Sequence, residues 1–296
     1  MVTSPGTDRD LLTRKAYATD DALAVRQRIH DQYSVPPTNF LEWVLEREDW
    51  HGDEIVLDVG AGPGVYFEPA ARRASQGAVI GADLSFGMAQ RANSKGIAQM
   101  MTNADVQALP FASSTFDVVL ANHMLYHVPD LDEALSEIHR VLKPTGFLIA
   151  ATNSQFNMPE FDQLTRRVFS QLGVTGNEVE NFVKQTSRNF NLEDAPSQLS
   201  HYFGAVARFD LPSALVFPSK QPVLDYFNSM RALKEPLLPS KVTWEDFMNQ
   251  LGDQVNRLIT HFGELVVNKL AGVVIGTDVG GFAREYMELL RESADS

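Results

Sequence analysis

The chain has 296 residues and a formal charge of −13, with 38 Asp+Glu against 25 Lys+Arg and no cysteine. Without cysteine there is no disulfide framework, thiolate zinc site, iron–sulfur cluster or thiol nucleophile. The negative balance repels a phosphate backbone, and the densest basic pairs, Arg72–Arg73 and Arg166–Arg167, are too sparse to offset it, so nucleic acid is not an expected partner.

Residues 1–7 read as a disordered tip, and the N-terminus lacks the apolar run of a secretory signal. From about Asp8 to Gln32 the apolar positions Leu11, Leu12, Tyr17, Leu23, Val25 and Ile29 predict one or two short helices. Pro36 and Pro37 break that run, and Phe40 to Glu46 reads as the next helix. From Glu54 to Thr152 short β-branched runs at Ile55–Val59, Ala78–Ala82, Gln99–Thr102, Phe116–Ala121 and Phe147–Ala151 alternate with helices near Val65–Ala74, Phe86–Lys95 and Leu131–Leu142. The last helix opens on Asp130 with Glu133 three residues on, the spacing of a capping box. Such alternation predicts an α/β fold, an open and mostly parallel sheet with helices on both faces.

Beyond residue 152 the regularity is lost. Phe161–Leu172, Glu178–Thr186, Val223–Leu233 and Trp244–Phe262 look helical, while Tyr202–Phe209 and Ala214–Phe217 look extended. Leu265–Thr277 reads as a late strand returning to the sheet, and an amphipathic helix is expected over Gly281–Arg291. The longest apolar stretch, Leu265 to Ile275, is interrupted by Asn268 and Lys269 and is too short to span a bilayer, so a cytoplasmic protein is expected.

The strongest chemical signal is Val56-Leu57-Asp58-Val59-Gly60-Ala61-Gly62-Pro63-Gly64, where the first strand of the alternating region turns into a helix. Glycines there let a ligand approach the backbone, and the helix N-terminus offers free amides. The spacing is G-x-G-x-G, with Val65 where a dinucleotide fingerprint would place its third glycine. Asp58, two residues before the first glycine, disfavours a pyrophosphate and suits a ligand with an ammonium group. Asp83 ends the next strand in Val79-Ile80-Gly81-Ala82-Asp83-Leu84-Ser85, where a carboxylate can accept from both hydroxyls of a ribose; Ser85 reads as the cap of the helix that follows. Asn103-Ala104-Asp105-Val106 follows the third strand, with Asp105 placed to accept from an adenine amino group and Val106 to offer its amide.

These motifs, with Phe116-Asp117-Val118-Val119-Leu120-Ala121-Asn122-His123 and Glu137-Ile138-His139-Arg140-Val141-Leu142-Lys143-Pro144 after them, resemble a class I S-adenosylmethionine-dependent methyltransferase of the ubiquinone/menaquinone-biosynthesis-like (methyltransferase type 11) family. The resemblance covers residues 54–152, about a third of the chain. It implies a Rossmann-like sheet of order 3-2-1-4-5-7-6 with only strand 7 antiparallel, helical N-terminal and inserted lid elements, and S-adenosylmethionine as cofactor. The expected division is an N-terminal helical lid over 1–50, a cofactor-binding core over 51–152, and lid helices, last strands and a C-terminal helix over 153–296. By the same resemblance Asp58, Gly60, Ala61, Gly62 and Gly64 surround the methionine end, Asp83 takes the ribose, and Leu84 and Met88 pack on the adenosine. Asp105 and Val106 read the adenine, and Asn122 touches the cofactor near the methyl. His123 reads as a packing residue on the cofactor side, and Tyr17 as a lid residue over the cofactor, with ordinary packing as the alternative.

Methyl transfer from a sulfonium is an in-line displacement, so an enzyme contributes chiefly by alignment and exclusion of water, and needs a base only for a protonated acceptor. His127, on the loop after the fourth strand, is the candidate base; packing or capping of the following helix is the alternative. Eleven of the 18 Phe fall between Phe156 and Phe262, which reads as a lid with an aromatic core. His201 and Tyr202 are candidates for the acceptor pocket. The expected partner is a small molecule of quinone, polyketide, terpenoid or amine type, with no metal; oligomeric state stays open. A nicotinamide-dependent reductase is opposed by the glycine spacing and by the lack of a Lys four residues after any Tyr. A non-catalytic S-adenosylmethionine-binding protein is opposed by the intact glycine loop, Asp83 and Asp105.

Overall fold

The computed structural model of the chain describes residues 6–183 and 189–279. The C-terminal helix expected over Gly281–Arg291 lies outside them, as do residues 1–5 of the expected tip and the end of the helix expected to reach Thr186.

Eight strands form one sheet: β1 (Ser34–Val35), β2 (Ile55–Val59), β3 (Ala78–Asp83), β4 (Met100–Asn103), β5 (Phe116–Leu120), β6 (Leu142–Asn153), β7 (Ala205–Phe217) and β8 (Leu265–Thr277). Their order is β1-β7-β8-β6-β5-β2-β3-β4. Seven of them reproduce the expected order. β4, β3, β2, β5 and β6 run parallel, and β8 inserts antiparallel between β6 and β7. The eighth strand corrects the expectation: β1 pairs antiparallel with the edge of β7, Ser34 opposite Leu215, so β8 is not the only reversed strand. A two-residue strand beside two prolines leaves no alternation to read.

Side chains alternate across the sheet, as strand geometry requires. Val56, Val118 and Leu120 pack on one face with Phe67 of α4 (Phe67–Arg73) and Val44 and Leu45 of α3 (Phe40–Leu45). Leu57, Val119 and Leu148 pack on the other with Leu135 and Ile138 of α6 (Leu131–Val141). α5 (Phe86–Asn93) starts after β3, and Ser85 caps it by accepting from Met88 N. Asp130 caps α6 by accepting from Glu133 N, but the Glu133 carboxylate accepts from Gln107 Nε2 instead of closing the expected box.

A third core forms a helical cap. α2 (Asp21–Tyr33), α7 (Pro159–Gln171), α8 (Asn177–Val183), α10 (Lys220–Ser229) and α12 (Trp244–Phe262) supply Ile29, Phe161, Phe169, Phe182, Phe227 and Phe247. Six phenylalanines of the 156–262 stretch serve as its core, which accounts for the aromatic enrichment of that stretch. The helix expected over Val223–Leu233 is two, α10 and α11 (Arg231–Lys234), parted at Met230 where φ is −98° and ψ is 2°. The two extended pieces expected at Tyr202–Phe209 and Ala214–Phe217 are one strand, β7. Pro212 is tolerated within it because β1 covers Ala214 and Leu215 and stops there, leaving an open edge that needs no N–H.

Phe247 is fully buried, its ring centroid 5.4, 5.1 and 6.0 Å from those of Phe169, Phe182 and Phe227. Phe247→Ala is expected to lower the unfolding free energy by roughly 3–5 kcal/mol in a urea titration followed by circular dichroism.

Candidate active site

A cavity of about 1010 Å³ opens at the carboxyl ends of β2, β3 and β5, under the helical cap. Open α/β sheets bind ligands at this end, where strand order reverses beside the first strand of the fold. The sheet and its loops supply one half of the lining, and α2, α7 and α10 supply the other.

The glycine loop forms the inner wall. Gly60 and Gly62 hold φ of +62° and +54°, and a Cβ at Gly60 would stand 2.7 Å from Cβ of Met124, so neither the backbone nor the space admits a side chain there. Gly62 N donates to Asp83 Oδ2 at 2.7 Å and Ser85 N donates to Oδ1 at 2.7 Å, tying the loop to the end of β3. Gly64, expected beside the ligand, is not among the residues lining the cavity; it holds φ of +70°, and a Cβ there would stand 2.7 Å from the Phe67 ring, so the first turn packs closely on α4.

Asp58 ends up 2% exposed, with Oδ2 buried and no hydrogen-bond partner among the described residues. Burial, and then the neighbouring Asp83, push its carboxyl well above the usual range. Burial also raises Asp83, partly offset by the two backbone donors. The Tyr66 hydroxyl is likewise buried without a partner, and burial and the field of Asp58 push its proton affinity up. An orphaned acceptor and an orphaned phenol on one wall fit a ligand end that carries both an ammonium and a carboxylate, as the methionine end of S-adenosylmethionine does. Tyr66 was missed in the sequence because a phenol one residue before a helix reads as packing.

Ala61, Leu84, Met88, Asp105 and Val106 line the same half of the cavity. The N-terminal segment closes over it. Arg9 forms an ion pair with Asp105, Ser85 Oγ donates to the Tyr17 carbonyl at 2.8 Å, and Arg91 pairs with Asp20 at 3.0 Å. Asp8 caps the short helix α1 (Arg9–Leu11) that carries Arg9.

The structure brings Tyr17 and His127 together. His127 Nδ1 lies 2.7 Å from the Gly6 carbonyl, which can only accept, so Nδ1 carries the proton. Nε2 then accepts from the Tyr17 hydroxyl at 3.0 Å. Burial, with Arg26 adding to it, lowers His127 to about 4 despite the Gly6 bond, while burial raises the Tyr17 phenol. Asn122 Oδ1 accepts from Ala151 N at 3.0 Å, and its Nδ2 is buried without a partner among the described residues. His123 holds φ of +55°, its ring centroid 5.4 Å from that of Phe40; burial and Lys269 lower it to about 4. His201 and Tyr202 are a further correction: neither lines the cavity, and Tyr202 donates to Asp132 at 3.0 Å on the α6 side of the sheet. Arg26, His30 and Lys269 line the cavity instead, on the side bordered by α2 and β8. A lysine inside the apolar run 265–275 was the available signal for the last of these. Among the described residues no group of His, Asp or Glu is placed to hold a metal ion, and no helix is long and apolar enough to cross a membrane.

Residues 57–150 match the family described as a methyltransferase domain. The malonyl-[acyl-carrier protein] O-methyltransferase of Pseudescherichia vulneris is 36% identical over 120 residues, 40% of this chain and 46% of the relative. The demethylmenaquinone methyltransferase of Thermobifida fusca is 37% identical over 123 residues, 39% of this chain and 50% of the relative. The chain thus spans about half the length of the curated relatives it matches. The structure of phosphoethanolamine N-methyltransferase 2 of Haemonchus contortus, complexed with phosphomonomethylethanolamine and S-adenosylhomocysteine, gives a TM-score of 0.57 at 19% identity over 94% of this chain and 61% of that one. A putative methyltransferase of Bacillus halodurans gives 0.55 at 19% identity over 82% and 100%. At these identities the likeness is one of fold.

Asp58 and Asp83 bind protons more tightly in the folded chain than in the unfolded one. Their contribution to stability is therefore full below the ordinary carboxylate range and is lost as pH rises through the raised values. Asp58→Asn removes one such loss. Thermal scans without ligand are expected to show a higher Tm than the parent at pH 7.5, the difference shrinking as pH falls to 4.

Proposed function

With a methyltransferase domain over residues 57–150 as premise, we propose that the protein transfers a methyl group from S-adenosylmethionine to a small-molecule acceptor. The observation that carries this reading is the buried Asp58 carboxylate, unpartnered at Oδ2, facing a glycine loop that Asp83 ties down. When bound, S-adenosylmethionine supplies an electrophilic methyl on a sulfonium, and the chain has to hold, align and desolvate the reacting groups.

Each wall has a task in that reading. Asp58 neutralises the ammonium, and Gly60, Ala61 and Gly62 let the methionine end lie against backbone. Asp83 accepts from the ribose hydroxyls with the lone pairs its backbone donors leave. Leu84 and Met88 cover the adenosine, and Val106 and Asp105 take the adenine edge once Arg9 yields. Asn122 lines the cavity and has an unpartnered Nδ2 that can donate to the ligand, and His123 stays neutral beside it.

A proton leaving the acceptor has a path. The Tyr17 oxygen can accept it while the phenol proton passes to Nε2 of His127, which is already hydrogen-bonded and neutral. His127 is therefore the terminal base, acting through Tyr17. The helical cap and residues 6–20 exclude water from both.

Thermal shift tests cofactor identity. S-adenosylhomocysteine at about 100 times its Kd is expected to stabilise the full chain by about 2.7 kcal/mol, and Asp83→Asn to abolish the shift; stabilisation by NAD alone would sink the reading. Incubation with labelled S-adenosylmethionine and a metabolite extract identifies the product. On that acceptor, Tyr17→Phe and His127→Ala are each expected to lower kcat roughly 10²-fold with little change in the Kd of S-adenosylhomocysteine. Unchanged turnover in His127→Ala removes it from catalysis.

A further inference from the structure

The half of the cavity bordered by α2, α7 and β8 gathers Arg26 and Lys269, and although Asp31 and Asp162 also line it, neither cation is within ion-pairing distance of an acid among the described residues. Arg26 and His30 stand one turn apart on α2 and both line the cavity. Lys269 enters from β8, its Nζ donating to Nδ1 of His30 at 3.1 Å and to Oγ of Ser34 at 3.1 Å. Arg26 Nη1 donates to the Ser229 carbonyl at 3.0 Å. All of these partners are neutral, and neither Lys269 nor Arg26 forms an ion pair among the described residues. By contrast, Lys234 at the far wall donates to the Phe182 carbonyl at 2.6 Å and is supported by the field of Asp162.

The cluster is fixed by design of the backbone around it. Asn268 N donates to Glu160 Oε2 and Leu270 N donates to Asn157 Oδ1, each at 2.9 Å, so the strand on both sides of Lys269 is clamped to α7 and the segment before it. β1 brings Ser34 to the sheet edge, where its hydroxyl and the preceding turn of α2 meet Lys269. The cations also work against one another. Burial, then Lys269, His123 and Arg26, drive His30 down to about 3, and burial lowers Lys269 to about 8, with exposed Asp31 its opposing charge. Half-buried cations that make no ion pair, with only the exposed Asp31 acting on Lys269 from a distance, carry a desolvation cost that an anionic ligand offsets.

We infer that this half of the cavity seats an acceptor bearing a carboxylate, the anion held between Lys269 and Arg26 and its apolar remainder received by Phe161, Tyr226 and Phe227. Its description as an acceptor rests on the methyl-transfer reading above. His30, kept neutral, aims the Lys269 ammonium; an acceptor carrying a net positive charge is rejected by the same groups. Arg26, His30 and Lys269 all lie outside residues 57–150, so the matched domain does not supply them.

The probe is hexanoate, with hexanamide as its uncharged counterpart, titrated calorimetrically into the full chain with and without S-adenosylhomocysteine. Hexanoate is expected to bind at least tenfold more tightly than hexanamide. Lys269→Met and Arg26→Gln are each expected to weaken hexanoate at least fivefold while leaving hexanamide within twofold, and Lys269→Arg to retain most of the preference. Equal affinity of the parent for the two probes, or a preference that survives both substitutions, overturns the inference. The same titrations read S-adenosylhomocysteine binding. Its absence overturns the methyltransferase reading and leaves the probe preference standing or falling by itself.

Discussion

Ionising a carboxyl group away from water costs several kcal/mol unless a counter-charge or enough donors accompany it. The fold places such a group, Asp58, at the end of β2, with Asp83 of the adjacent strand adding a second negative charge beside it. Neither could be dry and stable in a fold selected for stability alone. The glycine loop, the left-handed turns at Gly60 and Gly62 and the unpartnered Tyr66 hydroxyl all arrange backbone and space around this strained pair. Ligand charge, not protein charge, completes the site, and that is why the emptiest hydrogen-bonding positions of the cavity coincide with its most perturbed acids.

The cavity is electrically divided. Acids Asp58, Asp83 and Asp105 border the half built by β2, β3 and the loop after β4, where Arg9 offsets only Asp105; cations Arg26 and Lys269 border the half built by α2 and β8, where Asp31 and Asp162 also lie but pair with neither. A net charge of −13 conceals this division. A cationic cofactor and an anionic acceptor would each meet their opposite, and would be drawn toward each other across the gap between the halves. The His123 and His127 rings stand among these elements and are kept neutral by burial, so they add hydrogen-bonding capacity there without disturbing the separation.

Much of the cofactor half was legible because its function is written in local pattern: glycines where a strand becomes a helix, an acid at each strand end, β-branched runs at a repeating interval. Asp58, Asp83, Asp105 and Val106 all line the cavity, and the seven-strand order is the one the family resemblance implied. The acceptor half was not legible, because it depends on contacts between elements far apart in the chain. Lys269 meets His30 and Ser34 across more than two hundred residues, and β1, which makes that meeting possible, is two residues long. Gly64 shows the converse limit. It shares the pattern of its neighbours, and its left-handed backbone and close packing on Phe67, neither visible in that pattern, already require a glycine there. Tyr17 and His127 were identifiable one at a time, but their hydrogen bond was not, since 110 residues separate them.

The N-terminal wall carries a consequence of its own. Gly6, Arg9, Tyr17 and Asp20 each bond a different part of the cofactor half: the His127 ring, the Asp105 carboxylate, the Ser85 hydroxyl and the Arg91 side chain. Among the described residues this stretch joins no strand of the sheet, and its apolar anchor is the small cluster of Leu11, Leu12, Ala16 and Tyr17 with Ala232 and Leu233. Passage of a molecule in or out at that end is then a local unfolding event whose free energy is set by a few polar contacts and one small apolar patch. In the proposed reading, the residence time of the cofactor and its spent form would be governed by the contacts of residues 6–20, independently of how well the glycine loop holds them.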